Sequence, residues 1–183
     1  MVKFIESELV LLKKEVDEMW TLVYNQLDRA GEAVLTLDKE LAQQVLVRER
    51  RVNAFELKID SDIEDIIALY NPVAIDLRFV LAMLKINSNL ERLGDFAEGI
   101  ARFAINCKEP VLDGELLQKL RLEEMISQVL SMLELAKKRF RKRVRKWQPL
   151  CLPKIICWMK SMRMALLFLQ TISANIPKAH FLA

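Results

Sequence analysis

The chain has 183 residues, 52% of them apolar, with 28 Lys and Arg, 25 Asp and Glu, and only 4 Gly and 5 Pro. That composition excludes disordered, collagen-like and disulfide-stapled classes and leaves apolar material for one or two small domains. The net charge of +3 conceals an asymmetry, because all 25 acidic residues lie in 1–134 with 16 basic ones, whereas 135–183 holds 12 basic and no acidic residues.

From residue 2 to about 31, Leu9, Leu12, Val16, Met19, Trp20, Val23 and Leu27 recur at steps of three and four with Lys and Glu between them. This is the pattern of an amphipathic helix with Trp20 in its buried face. Asp38 opens a second periodic segment that carries Leu41, Val45, Val52, Phe55, Ile59, Ile63, Ile66 and Leu69 on one stripe and runs to Tyr70. Asn71-Pro72 closes it and is expected to open a third helix, 72–106, with Asn as the cap and Pro at the first helical position. Three long helices with short connections bury their stripes by folding back on one another, so an all-α fold is predicted, with an antiparallel three-helix bundle at 1–107. Gly94 and Gly99, costly inside a helix, are expected to mark close helix contact or room for a bound group.

The segment 108–114, KEPVLDG, breaks the pattern, and 115–140 reads as one further helix. Its stripe of Leu122, Met125, Val129, Met132, Leu133 and Ala136 repeats the spacing of the first helix at a constant offset of 113 residues. We therefore expect 115–138 to be the first helix of an incomplete second bundle, with its apolar stripe exposed and self-association as the result.

After Ala136 the chain changes character: KKRFRKRVRK at 137–146 is followed by three prolines, two Trp and two Cys, and no period holds. A basic patch for nucleic acid and a basic-apolar membrane-surface segment are two readings. The third is that 139–183 is out of frame. Reading the last base of each codon with the first two of the next, Trp147-Gln148 forces Ala, Cys157-Trp158 forces Leu, Trp158-Met159 forces Asp and Met159-Lys160 forces Glu. With permitted codons elsewhere the stretch can read MATAVFAKDNMLDEVN, similar to LAQQVLVRERRVNAFE at 41–56, where a second repeat would place it. The frame reading is favoured, and it assigns the tail and its lone His180 no role. Cys107, Cys151 and Cys157 fit neither a zinc spacing nor an even disulfide framework, so a reduced intracellular protein is expected. Charges interrupt the N-terminal apolar stretches, and the run 164–172 is far shorter than the roughly 20 residues of a spanning helix, so neither a leader nor a membrane span is expected.

Two carboxylate pairs stand at i, i+4 and so share a helix face: Glu91 with Asp95, and Glu56 with Asp60. Like charges at that spacing repel by a few tenths of a kcal/mol, a cost that a bound hard cation removes. Carboxylate oxygens without His or thiolate suit Mg, Mn, Ca or oxidised iron better than zinc. The plain alternative is a solvated acidic surface, with Arg78 and Arg92 neutralising it in ordinary ion pairs. Asn87 and Glu98 either complete an acidic-amide strip that accepts metal or a partner's basic side chains or, the favoured reading, are solvated helix positions. No Ser/His/Asp or Cys/His set and no phosphate-binding Gly loop is present, so catalysis is not expected.

The segment NPVAIDLRFVLAMLKINSNLERLGDFAEGIA at 71–101 resembles the signature of the PhoU family of phosphate-transport regulators, and RERRVNAFELKID at 48–60 resembles that family's second helix. The combination of Pro72, Ala74, Asp76, Leu77 and Arg78 with Leu90, Glu91, Arg92, Gly94 and Asp95 carries the resemblance, which extends over roughly 5–136. It implies a cytoplasmic, non-enzymatic, all-helical protein of two three-helix repeats, each with a Glu/Asp-x-x-x-Asp motif that holds metal ions. It also implies a homo-oligomeric adapter, without nucleic acid, whose partners are a phosphate-sensing histidine kinase and the ATPase of the phosphate ABC transporter. Membrane proximity would come through those partners alone. Carried over by position, the metal ligands are Glu91 and Asp95, with Glu56 and Asp60 across the helix pair if the register brings them near. The family's second motif lies on a sixth helix that this chain lacks.

Overall fold

The computed structural model describes residues 2–108, 112 and 114–142. Helices α1 (Val2–Thr36), α2 (Lys39–Tyr70) and α3 (Ala74–Asn106) form the antiparallel three-helix bundle, and α4 (Gly114–Leu120) and α5 (Leu122–Lys142) follow. No strand occurs among the described residues.

In α1, Leu12, Val16, Met19, Trp20, Val23 and Leu27 are all buried, with Leu9 packed at the edge. The helix continues five residues beyond the expected end at Gly31, because Ala33 and Val34 are also buried and extend the apolar face. Asp38 caps α2 as predicted, its carboxylate accepting from the Glu40 and Leu41 N–H groups at 2.9 Å each. The α2 stripe differs from the predicted one at two places. Leu69 is 75% exposed, and the stripe contains a charged residue, Glu49, between Val45 and Val52.

The junction at Asn71 works differently from the prediction. Asn71 adopts the left-handed conformation (φ 45°) and ends α2, its N–H donating to the Ile67 carbonyl. Asn tolerates that conformation better than most residues, which suits it to stop a helix. Pro72 lies in the three-residue link rather than in α3, which begins at Ala74 after an extended Val73 with no side-chain cap.

The single helix expected over 115–140 is broken at Arg121, which has φ 51°. The Arg121 N–H donates to the Gln118 carbonyl, and its own carbonyl accepts from Met125 as α5 begins. The break reorients the chain so that α5 lies antiparallel along α1. Phe140 stacks tilted on Trp20 with ring centroids 5.4 Å apart, and the Arg141 guanidinium holds both Asp17 oxygens at 2.7 Å. Lys137 donates to the Thr21 hydroxyl. Nearer the other end, a Cβ on Gly31 would lie 2.6 Å from Ile126 Cγ2, so the missing side chain admits α5.

The stripe of α5 is therefore not exposed. Leu122, Ile126, Val129, Leu133, Ala136 and Phe140 are buried, and Met125 and Met132 pack at the margin, so the reason given above for self-association does not hold. The boundary expected at 139 falls inside α5, where Phe140 and Arg141 supply the docking contacts. The remainder of the basic-apolar tail, 143–183, with its out-of-frame, nucleic-acid and membrane readings, lies outside the described residues. Among the described residues no helix is long and apolar enough to cross a membrane.

Candidate functional site

The seam between α2 and α3 positions the carboxylates. Asn87, fully buried on α3, donates through Nδ2 to the Glu56 carbonyl at 2.9 Å and to Asp60 Oδ1 at 2.8 Å. Two turns along α3, Gly94 brings the backbone so close to α2 that a Cβ would stand 3.0 Å from both Glu49 Oε1 and Val52 Cγ1. These two contacts set one antiparallel register, with 87 opposite 56–60 and 94 opposite 49–52. That register brings Glu56 close enough to Glu91 for the Glu56 charge to oppose ionisation of Glu91.

The predicted residues thus gather on one face. Burial and then the neighbouring Asp95 hold the Glu91 carboxyl above the usual carboxylate range, with Glu56 adding to the effect. Burial and Asp60 raise Glu56. Asp95 is exposed, while Glu91, Glu56 and Asp60 are half-buried. Among the described residues neither Arg78 nor Arg92 forms a contact ion pair, but the Arg92 charge lowers the pKa of Glu91 and so neutralises the face in part. Arg102 takes up Glu98 at 2.6 Å. Asn87 is a buried strut rather than the solvated surface residue expected, and Gly99, unlike Gly94, faces open space.

Glu49 was not predicted. It is 4% exposed, and apart from a weak hydrogen-bonding approach by the Gln26 side chain neither of its carboxylate oxygens has a partner among the described residues. Burial, followed by Asp95 and Glu98, pushes its pKa up to about 7, with the adjacent Gln26 side chain opposing. The Asn87 Oδ1 is likewise buried without a partner. A signal existed: Glu49 is seven residues before Glu56, hence on the same face, at a position where the apolar period calls for a hydrophobic side chain.

Chemically, the face offers carboxylate and amide oxygens, which is the donor set of a hard metal ion. The unpartnered Glu49 and Asn87 oxygens fit such a guest. Among the described residues, however, no three Asp, Glu, His or Cys side chains already converge as a ligand group, so binding requires side-chain rotation.

Residues 16–104 match the model of the PhoU domain. Over these residues the chain is similar to the PhoU family. The chain is 33% identical over 135 residues to the phosphate-specific transport system accessory protein PhoU homolog 1 of Thermotoga maritima, a match covering 74% of this chain and 57% of that protein. It is 40% identical over 99 residues to the PhoU homolog of Aquifex aeolicus, covering 54% and 45% respectively. The chain spans about half the length of the curated PhoU relatives it matches. The crystal structure of PhoU from Pseudomonas aeruginosa superposes with a TM-score of 0.65 at 22% identity, covering 92% of this chain and 95% of that one, which establishes the helical fold.

Proposed function

We propose that this PhoU-domain chain is a non-enzymatic regulator of phosphate transport and phosphate-starvation signalling, acting by protein contact, with metal held at helix carboxylates. The relatives named above are accessory proteins of phosphate-specific transport, and that role is the basis for assigning it here. The observation that carries the metal part is the pairing of Glu56 and Asp60 with Glu91 and Asp95 across one seam, next to the unpartnered Glu49. Glu91 and Asp95 would be the principal ligands, joined by Glu56 and Asp60. Iron, Mn or Mg is the expected ion and Zn the less suited one. When bound, the ion supplies charge neutralisation and a fixed geometry for the face, not a reaction step.

The proposed partners are a phosphate-sensing histidine kinase and the ATPase of the phosphate ABC transporter, in the cytoplasm, with a homodimer as the working assembly. The test is metal content after purification and calorimetric titration with Mn²⁺, for the wild type, Glu91→Ala and Asp95→Ala. Loss of bound metal in both variants is expected. Unchanged metal in both defeats the assignment. A metal-free interaction module is the second reading, favoured by the absence of three converged ligands among the described residues.

A further inference from the structure

On α3, Leu77, Leu81, Leu84, Ser88, Glu91 and Asp95 follow one another at alternating steps of four and three, the spacing that keeps a seam on one flank of a helix. Val80, Met83, Asn87 and Leu90 face the bundle, so this flank is turned away from the core. Leu81 is 42% and Leu84 37% exposed, and Leu77 is half-buried. The register set by Asn87 carries Ile67 of α2, 38% exposed, to the same end. The flank therefore has an apolar half and an acidic half in direct continuation.

We infer that this α3 flank docks an amphipathic helix of a partner protein, apolar along one half and rich in Arg or Lys along the other. Two observations select that occupant. The acidic half carries Glu91 and Asp95, whose charges Arg92 offsets only in part, since Glu91 still stands above the usual carboxylate range, while Arg102 is engaged by Glu98. Its charge thus calls for a cationic guest. A second copy of the chain does not match: parallel pairing sets acids against acids, and antiparallel pairing sets leucines against acids. A basic-apolar helix satisfies both halves at once.

One consequence rests on the metal reading above: a cation at Glu91 and Asp95 uses the carboxylates that the basic half needs, so metal loading and docking are antagonistic.

The test uses the full chain and a fluorescently labelled synthetic helix with Leu at four-three spacing in its N-terminal half and Arg at the same positions in its C-terminal half. Titration by anisotropy in metal-free, low-salt buffer should give saturable binding that weakens with added salt. Leu81→Glu and Asp95→Arg should each weaken it by roughly tenfold or more, and Leu135→Glu, an exposed position on α5, should leave it unchanged. A peptide with Glu in place of Arg should not bind. Binding that survives Leu81→Glu and Asp95→Arg overturns the inference. So does failure of the peptide to bind the full chain, whether the flank is inert or another segment of the chain already covers it. Mn²⁺ should release the peptide. If Mn²⁺ binds by calorimetry yet leaves the peptide in place, the antagonism is wrong, and if Mn²⁺ does not bind at all, the metal reading fails while the variants still judge the docking.

Discussion

Asn87 on α3 holds Asp60 on α2 through a 2.8 Å hydrogen bond while the same amide nitrogen donates to the Glu56 carbonyl at 2.9 Å. One fully buried side chain thereby fixes where two carboxylate motifs stand relative to each other. Removing it with Asn87→Ala should cost about 1–3 kcal/mol, the range for losing buried hydrogen bonds. Urea denaturation would measure that loss, and a variant as stable as the wild type would show that Asn87 does not set the register.

Glu49 makes stability depend on pH in the unusual direction for a carboxylate. Its folded pKa, about 7, lies above the unfolded value of 4.5, so the folded state keeps a proton that the unfolded state gives up as pH rises. Stability from this group is full below pH 4.5 and is lost progressively up to about pH 7. The shift corresponds to about 3 kcal/mol. Glu49→Gln should accordingly melt close to the wild type at pH 4.5 and above it at pH 8 in metal-free buffer. Equal melting temperatures at both pH values would show that Glu49 is not held in the environment described.

Gly94 and Gly99 separate two effects of the same substitution. Gly94→Ala places a methyl group 3.0 Å from Glu49 Oε1 and Val52 Cγ1, a clash of the kind that costs about 1–3 kcal/mol, offset by up to about 1 kcal/mol of helix propensity. A net loss of about 1 kcal/mol is expected. Gly99→Ala meets nothing within 4 Å and should gain about 0.5–1 kcal/mol. Thermal denaturation of the two variants side by side should show opposite signs.

Phe140 anchors α5 to the bundle. It is 2% exposed and packs on Trp20, so Phe140→Ala should cost about 3–5 kcal/mol at the α1–α5 contact. Because α2 and α3 do not depend on that contact, the loss should be local. Hydrogen exchange should speed up across 122–142 and leave 39–106 protected, whereas uniform loss of protection would mean that α5 and the bundle fold as one unit.

The helices, their order and most of the core were legible in the sequence, because periods of three and four in α1, α2 and α3 report burial directly, residue by residue. The carboxylate pairs were legible for a related reason: i, i+4 spacing decides a shared helix face without any tertiary information. What spacing could not decide was register between helices. That Glu56 approaches Glu91, and that Glu49 is sealed beneath Gly94, follows from the Asn87 bridge and from one missing Cβ, both of which act between segments some 30 to 45 residues apart in sequence. The docking of α5 belongs to the same class. Its apolar stripe announced that something must cover it, but a stripe does not name its cover. The left-handed turn at Arg121 and the gap left by Gly31 decided that the cover is α1, since only the folded chain brings those backbone features to one surface.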